Sequence, residues 1–463
     1  MLILCAVLFL CLPACKADDT GRSDGDADRT SGAAADPGRP PQGGEATRQI
    51  PSGEIADGIT LNIAKFAGGD GVREFGYDGS GGDIVSDRLY KRERSLSARL
   101  DYPMGFDKVN IHDITGDPSD DGTAFIAALE ASEAGGAPFD VIVSPASVSM
   151  RAMTRGLLFD LNLIYKSYID LNRKWWQRGV LDKLTMGESL YFVTGDISYG
   201  FIGSLACVFY DRAEMGDLYA AVADGSWTAE RFFALAAGRV TETDDAGLFS
   251  LVCASGFATV LKDSGGMPAA SDRLVNDSRA ASLISSIFAM RRIAPAAVAF
   301  DSGGAVMAVL PIGYGGRRDN ESGGKYGILP LPKYRADQPD YITPVGTGCM
   351  AFSIAAKCPE PEAATLMIEC LAADSERELV PAQFALALHQ NCRNGGNDAA
   401  VYDIMRRTAH CNLGLLAGGY SDEMVLATVR AMRTGRITPR DMSEYKRSWE
   451  RIAEKLTEIS RGK

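Results

Sequence analysis

The chain has 463 residues and a formal net charge of −12, with 46% hydrophobic and 23% charged residues. Because it is acidic and has no block of Lys and Arg, we expect no nucleic-acid partner, since nucleic-acid binding depends on neutralising phosphates. After the N-terminal run, no stretch of 18 apolar residues predicts a membrane span, and the length favours two domains over one core.

The N-terminal end is almost wholly apolar and shorter than a membrane-spanning helix, so we interpret residues 1–14 as a signal peptide. No Lys or Arg precedes Lys16, so either the true start lies upstream or the signal is atypical. The motif Leu12-Pro13-Ala14-Cys15 resembles a bacterial lipobox, which implies lipidation of Cys15. A plain signal peptide with an incidental Cys is the alternative.

The segment after Cys15 has the composition of a tether. Residues 16–58 contain almost no large apolar side chain, so they cannot bury enough surface to offset the entropy of ordering. We therefore expect residues 15–58 to be a lipidated Cys followed by a disordered linker. A flexible chain of 43 residues spans about 35 Å. This predicts a protein on the extracellular face of the cell membrane, attached only through lipid.

Strands and helices alternate in the first part of the body. Strands are predicted at 59–66, 109–114 and 139–143, with a helix at 123–134 after the acidic cap Ser119-Asp120-Asp121 and another helix after the third strand. The glycines of 68–82 do not have dinucleotide or P-loop spacing, so this segment is predicted to be a plain loop. The alternation predicts a parallel α/β sheet.

The second part begins with strands and ends with helices. Further strands are predicted at 189–193, 205–210, 248–254, 305–310 and 326–329. Trp227-Thr228-Ala229-Glu230 predicts an amphipathic helix with Thr228 as its cap. A helix to Lys262 and a loop at 263–266 should follow the strand at 248–254. Helices are predicted at 361–373, 399–408 and 422–434.

The cysteines and histidines do not form a metal-binding pattern. Seven cysteines follow Cys15, an odd number, so at least one is unpaired. Cys207, Cys253 and Cys349 lie in apolar stretches and are predicted to be buried. The chain has no CxxC motif, and none of its three His has a neighbour at ligand spacing. We therefore expect no metal and no cofactor.

Five stretches in this order resemble the extracellular solute-binding proteins of ABC importers, family 1, which are maltose-binding-protein-like. They are GESLYFVTGD with LACVFYDR, DGSWTAERFFALA, LFSLVCASGFATVLKDSGG, AVMAVLPIGYGG with YGILPLPKY, and VGTGCMAFSIAAKCPEPEAATLMIECLA. DLNLIYKSYIDLNRKWWQ with VPAQFALAL resembles a branch common among lipoproteins of Gram-positive anaerobes. The resemblance covers the chain from about residue 59 to the C-terminal helices.

The resemblance implies a two-lobed, periplasmic-binding-protein-like (type II) α/β fold with three crossing hinge segments. We place the crossings near 193–197, 300–304 and 346–351. Lobe 1 would then be 59–194 plus 304–347, and lobe 2 would be 195–303 plus 348–463. The function implied is capture of a small polar solute, foremost a carbohydrate, by a monomer that delivers it to the permease subunits of an ABC transporter.

Ligand contacts are expected where strands end at the cleft between the lobes. The candidates are Phe66, Ser144 and Tyr314 in lobe 1, Asp196, Ser198, Ser255 and Phe257 in lobe 2, and Gly346 and Thr347 on a crossing. Asp196 suits sugar hydroxyls but alternatively caps a turn. Tyr314 alternatively packs in its turn, and Phe66 and Phe257 alternatively pack at the hinge.

The tryptophans offer a second set of alternatives. Trp175-Trp176 resembles a sugar-stacking pair, but burial under the first lobe is favoured because the pair lies in a helical connection. Trp227 is predicted to be core, since it opens an amphipathic helix. The two predicted lobes contain no GxSxG, HExxH or P-loop motif, so we do not expect an enzyme. A carboxylate-based hydrolase and a ligand sensor subunit are the remaining alternatives.

Overall fold

A computed structural model describes most of the chain after residue 58. The described ranges are 59–68, 74–75, 84–100, 109–114, 122–257, 260–270, 277–293, 303–313, 326–346, 349–383 and 396–416, with scattered positions between 443 and 458. All of them belong to one unit, Thr47–Lys463. The proposed lipid site, Cys15, and the predicted helix at 422–434 lie outside the described residues.

Strands and helices alternate along the described chain. The strands are β1 (Leu61–Phe66), β2 (Val109–Ile114), β3 (Val141–Pro145), β4 (Phe192–Val193), β5 (Ala206–Asp211), β6 (Thr241–Thr243), β7 (Val260–Lys262), β8 (Pro268–Ala270), β9 (Arg292–Ile293), β10 (Met307–Pro311), β11 (Tyr326–Pro330), β12 (Thr343–Pro344), β13 (Met350–Ile354) and β14 (Ala409–His410). The helices are α1 (Ile84–Leu100), α2 (Thr123–Ala134), α3 (Ala146–Thr154), α4 (Arg178–Leu184), α5 (Tyr199–Gly203), α6 (Arg212–Met215), α7 (Tyr219–Ala223), α8 (Ala229–Ala236), α9 (Asp245–Ala254), α10 (Ser278–Ala289), α11 (Pro361–Asp374), α12 (Gly396–Arg407) and α13 (Leu413–Leu416). A 3-10 turn spans Leu161–Leu163, and a π-helical turn, Ser375–Leu379, continues α11.

The first sheet has the strand order β2-β1-β3-β13-β4. β1 lies parallel to β2 and β3, with Ile63 opposite both Ile111 and Val141. β13 is antiparallel to β3 and β4. Helices α1 and α2 connect the parallel strands in sequence, which confirms the predicted parallel α/β arrangement.

The second sheet has the strand order β11-β5-β10-β6-β9. β5 is antiparallel to β10 and β11, while β6 is parallel to β10 and β9. Its strands β5, β10 and β11 are mostly buried and mostly apolar, as expected where a sheet is covered on both faces. Two small ribbons, β7-β8 and β12-β14, lie outside the two main sheets.

Strand pairing divides the chain differently from the expected lobes. β10 and β11 were expected in lobe 1, but both pair with β5 in the second sheet. β13 was expected in lobe 2, but it pairs with β3 and β4 in the first sheet. After β4, the described chain returns to the first sheet at β13. The local sequence patterns of β10 and β11 do not reveal which of the two sheets they join.

The chain passes between the two sheets at two described places. The first crossing segment, 194–205, joins β4 to β5, and the return crossing segment, 345–350, leads into β13. These agree with the crossings expected near 193–197 and 346–351. The crossing expected near 300–304 differs, because β9 and β10 on either side of it belong to the same sheet. A further passage lies between the π-helical turn, which packs on α1, and α12, which packs on β11.

The predicted strand at 248–254 is wrong, because these residues form most of helix α9. The Asp244 side chain accepts a hydrogen bond from the Gly247 N–H at 2.7 Å and caps this helix. Every residue from 247 to 254 is buried, so the apolar run has no polar face from which its period can be read. The predicted helix to Lys262 is also wrong, since Val260–Lys262 is a strand.

Other predicted elements are confirmed. Helix α8 begins after Thr228, whose side chain accepts from the Arg231 N–H. Trp227 is fully buried, and its indole N–H donates to the Pro330 carbonyl at 2.8 Å. Helix α11 starts at Pro361, where the missing N–H costs no helical hydrogen bond.

The paired tryptophans are buried, as favoured. Trp175 is 7% exposed and Trp176 is 2% exposed. The Trp176 Nε1–H donates to the Glu369 carboxylate at 3.0 Å, which fixes the pair against α11. Cys207, Cys253 and Cys349 are buried, which confirms that prediction. Within the described ranges, no helix has the length and apolar character that crossing a membrane requires.

Candidate functional site

The two crossing segments lie side by side between the sheets. Leu205 forms a bridge with Val345, and the Gly346 N–H donates to the Ser204 carbonyl at 3.0 Å. Thr194 Oγ1 donates to the Met350 carbonyl at 2.7 Å. The chain therefore connects the two sheets through a hydrogen-bonded pair of segments, on which the predicted site residues Asp196, Ser198 and Gly346 lie.

Ser198 lies in the first crossing segment, and its side chain is fully buried. Its hydroxyl donates to Glu74 Oε1 at 2.9 Å and accepts from the Met350 N–H at 3.2 Å. Burial raises the pKa of the Glu74 carboxyl, while Arg92 beside it acts to lower that pKa. The Ser198 hydroxyl is thus engaged by protein groups on both sides.

Asp196 is also buried, and it is the centre of an ion pair. The Arg406 guanidinium of α12 donates to both carboxylate oxygens of Asp196, and Gln177 Nε2 donates to Oδ1 at 3.3 Å. Burial raises the pKa of Asp196, with Arg406 opposing that shift. The carboxylate that was predicted to bind a sugar therefore ties α12 to the first crossing segment.

Phe66 and Ser144 lie at the carboxyl end of the first sheet, where parallel strands present ligand contacts. Phe66 is half-buried, with its ring edge-on to Phe125 at 5.6 Å between centroids. Ser144 is fully buried, and its hydroxyl lies 2.8 Å from the Ser149 hydroxyl. Of the two side chains, Phe66 is the one that keeps an accessible surface.

Ser255 and Phe257 follow α9 rather than a strand. The Ser255 hydroxyl donates to the Leu251 carbonyl at 2.9 Å, within its own helix. Phe257 is 2% exposed and packs edge-on against Tyr334 at 5.4 Å between ring centroids. These contacts engage both residues within the protein, and Tyr334, against which Phe257 packs, lies on the turn after β11 and not on either crossing segment.

Gly346 is partly exposed on the return crossing segment. A Cβ atom at this position would lie 3.3 Å from the Ser204 carbonyl oxygen, so a side chain would press against the first crossing segment. Tyr314 and Thr347 lie outside the described residues, and their predicted roles stay predictions.

The sequence did not predict three charged side chains at this junction: Glu74, Arg92 and Arg406. A signal for Arg92 was present, because it lies on the apolar face of α1 at helical spacing from Leu89 and Leu96, which are fully buried. A charge on such a face predicts a buried partner. Glu74 lies in a glycine-rich loop, where no periodic pattern points to it.

A groove of about 550 Å³ lies on the surface formed by α8, α10 and the turn after β11. Its lining mixes apolar, hydroxyl and charged groups: Ala229, Glu230, Phe233, Ser278, Arg279, Ser282, Leu283, Ser286, Tyr334 and Arg335. All of these residues belong to elements on the side of the second sheet, and none of them belongs to either crossing segment. In the part of the chain that the structure describes, no cluster of His, Cys, Asp and Glu has the makings of a metal site.

Comparison with solved structures identifies the fold. No protein-family model matches the sequence, and no curated protein matches it. Solved structures do match across nearly their whole length. The galacto-N-biose/lacto-N-biose I-binding protein of an ABC transporter from Bifidobacterium longum is 15% identical, with a TM-score of 0.54, 87% of this chain covered and 98% of that chain.

Two further structures give the same result. The sugar-binding protein MalE from Xanthomonas citri is 12% identical, with a TM-score of 0.55 and coverage of 86% of this chain and 98% of that chain. The cyclic alpha-maltosyl-1,6-maltose binding protein from Arthrobacter globiformis is 11% identical, with a TM-score of 0.56 and coverage of 86% and 99%. The chain thus has the two-lobed α/β fold of maltose-binding-protein-like solute-binding proteins, which confirms the predicted fold class.

Proposed function

We propose that this chain is a solute-binding protein that captures a carbohydrate between its two lobes and delivers it to an ABC transporter. The observation that carries the proposal is the two-sheet fold with paired crossing segments, which it shares with sugar-binding proteins over nearly their full length. Sequence identities this low establish a similarity of fold only. A carbohydrate as the ligand of this chain is therefore part of our proposal.

The physical basis of capture is a difference in affinity between two arrangements of the lobes. Ligand contacts from both lobes exist together only when the lobes are closed, so the ligand favours the closed state. Moving from mostly open to mostly closed requires a difference of about 5 kcal/mol in ligand binding. A few hydrogen bonds with a stacked aromatic ring are sufficient for this.

Among the predicted contacts, we retain Phe66, Gly346, Tyr314 and Thr347. Phe66 ends β1 and Gly346 lies on the return crossing segment, and both are partly exposed, which leaves surface for a ligand. Phe66 offers an aromatic face, and Gly346 offers main chain without a side chain above it. Ser144, Ser198 and Ser255 are engaged in protein hydrogen bonds, so their part is to support the site.

Cell-surface attachment is a separate part of the proposal. Lipidation of Cys15 would hold the body on the extracellular face of the membrane, with 16–58 as the linker. Support for this comes from the lipobox-like motif and the composition of the linker. Mass spectrometry of protein from detergent extracts tests it: an acylated peptide that begins at Cys15 is expected, and a free Cys15 thiol in the mature protein would contradict it.

A binding role is also distinguished from a hydrolase by one experiment. Thermal shift is measured with a panel of mono- and oligosaccharides, and the same samples are assayed for cleavage products. A ligand-dependent rise in melting temperature without turnover is the expected result. Product formation would favour the carboxylate-based hydrolase.

The position of the site is tested with two variants and a matched control. Phe66→Ala and Tyr314→Ala are each expected to weaken the best sugar of the panel by about 1–3 kcal/mol without unfolding the protein. Tyr165→Ala is the control, because Tyr165 is a 77% exposed aromatic on the first-sheet side. Wild-type affinity in both site variants would show that the cleft has been misplaced.

A further inference from the structure

A buried ion pair lies beside the first crossing segment. Glu74 and Arg92 both have fully buried side chains, with Arg92 Nη1 3.9 Å from Glu74 Oε2. Arg92 Nη2 also donates to the Glu74 main-chain carbonyl. A buried charge destabilises a fold unless hydrogen bonds and an opposite charge satisfy it, so the partners of the pair determine what it does.

Arg92 joins three parts of the first-sheet side. From α1, its Nη1 donates to the Ile197 carbonyl at 2.9 Å and to the Ser375 hydroxyl at 3.1 Å. Ile197 belongs to the first crossing segment, and Ser375 starts the π-helical turn. One guanidinium therefore fixes the start of the crossing to α1 and to the π-helical turn, which pack on each other and on α11.

Glu74 and Ser198 extend these contacts to both crossing segments. Glu74 Oε1 accepts from the Ser198 hydroxyl at 2.9 Å, and the carboxylate also accepts from the N–H groups of Tyr199 and Gly200. The Ser198 hydroxyl in turn accepts from the Met350 N–H at 3.2 Å. A hydroxyl has one proton to donate and lone pairs to accept, so both bonds exist together.

Beyond this point, the crossing segments are bound to the second sheet. Leu205 pairs with Val345, and the Ile312 N–H donates to the Leu205 carbonyl at 2.8 Å. The Gly346 N–H donates to the Ser204 carbonyl. Residues 204–205 and 345–346 are therefore held with the strands of the second sheet.

We propose that Glu74, Arg92 and Ser198, here called the hinge cluster, are positioning residues that fix 197–200 and Met350 to the first lobe. In the first crossing segment, bending between the lobes is then confined to its short remainder, 201–203, between this fixed part and residues 204–205. The link from bending to ligand capture rests on the proposed function, whereas the position of the hinge does not depend on any ligand.

The proposal is tested on the ligand-free full chain by measuring the distance between the lobes. Spin labels are attached to genetically encoded ketone residues at Ala131 and Ala234, which are exposed on α2 and α8, so native cysteines do not interfere. Ser198→Ala and Glu74→Gln are expected to broaden the distance distribution relative to wild type. The Met350 amide should exchange with solvent about 5-fold faster in Ser198→Ala, which corresponds to loss of one hydrogen bond.

Two matched variants separate positioning from general loss of stability. Ser204→Ala removes a hydroxyl from the same crossing segment, but that hydroxyl donates locally to the Phe201 carbonyl at 2.7 Å. It is expected to keep the wild-type distribution. Ser198→Thr keeps the hydroxyl and is expected to restore the narrow distribution that Ser198→Ala loses.

The proposal is overturned if Ser198→Ala and Glu74→Gln fold and their inter-lobe distance distributions superimpose on that of wild type. Equal broadening of the distance distribution in Ser204→Ala would also overturn it. If neither variant folds, the proposal is tested by amide hydrogen exchange of the wild-type protein. Slower exchange for 197–200 than for the exposed turn 263–266 is expected, and equal rates would overturn the proposal. Failure of every sugar to bind would contradict the proposed function while leaving these measurements unaffected.

Discussion

The pH dependence of stability should reveal one buried carboxyl, Glu369 of α11. This side chain is 3% exposed and accepts the Trp176 Nε1–H at 3.0 Å. Burial raises its pKa from the ordinary value of 4.5 to about 7, with the hydrogen bond from Trp176 acting in the opposite direction. The folded protein therefore holds this proton over a pH range in which the unfolded chain has released it.

The sign of the effect follows from proton linkage. Below pH 4.5 the carboxyl is protonated in both states, and its contribution to stability is fully present. As the pH rises through about 7, that contribution is lost, because the folded state must then bury a carboxylate or retain a proton. The two pKa values differ by about 2.5, which at 1.36 kcal/mol for each pKa unit corresponds to about 3 kcal/mol.

Glu369→Gln isolates this contribution, since Gln cannot ionise and its carbonyl still accepts from Trp176. Urea unfolding of both proteins is measured from pH 4.5 to pH 8. The free energy of unfolding of wild type, relative to the variant, should fall by about 3 kcal/mol across this range. Glu360→Gln, at the exposed start of the same helix, is the control and should parallel wild type. A difference between wild type and Glu369→Gln that is constant with pH would show that the Glu369 carboxyl does not titrate between the two states in this range.

Three other changes test local parts of the structure. Thr228→Ala removes the α8 cap and should lower the free energy of unfolding by about 1 kcal/mol in urea melts, while Thr228→Ser should restore it. Gly327→Ala places a Cβ 2.3 Å from the ring of buried Tyr210, and calorimetry should show a loss of about 1–3 kcal/mol or more. Burial lowers the pKa of His410 to about 4, so its contribution is present above 6.5 and is lost as pH falls. His410→Gln should remove about 2–3 kcal/mol of that acid sensitivity, measured in urea melts from pH 7 to pH 4.

The elements that the sequence predicted are those with a local signal. The Thr228 cap and the Pro361 start are readable because caps and proline act within one turn. The segment 248–254 was predicted to be a strand because it is buried on all sides, and burial on all sides removes the helical period. The period of such a run therefore does not distinguish a helix from a strand.

Sheet membership could not be predicted in the same way. β10 and β13 are both short apolar strands, and their sequences suit either sheet. Which sheet each joins depends on partners that lie far away in the chain, β5 for β10 and β3 for β13. The family order gave the correct fold class but not the point at which the chain returns to the first sheet.

The candidate site shows the same limit. Phe66 ends a predicted strand and Gly346 lies on a predicted crossing, and both keep accessible surface. Asp196 lies on a crossing segment, as predicted, but its ion-pair partner Arg406 lies 210 residues away and could not be foreseen. Polar residues at a junction between lobes serve either a ligand or the hinge, and a single sequence does not distinguish the two.

Closure of the two lobes on a carbohydrate should make the protein more compact. Small-angle scattering of the full chain measures this, with and without the sugar that gives the largest thermal shift. We expect a smaller radius of gyration with saturating sugar than without it, and an unchanged curve for a sugar that gives no thermal shift. An unchanged radius of gyration at saturation, with binding confirmed by calorimetry in the same sample, would show that the lobes do not close on the sugar.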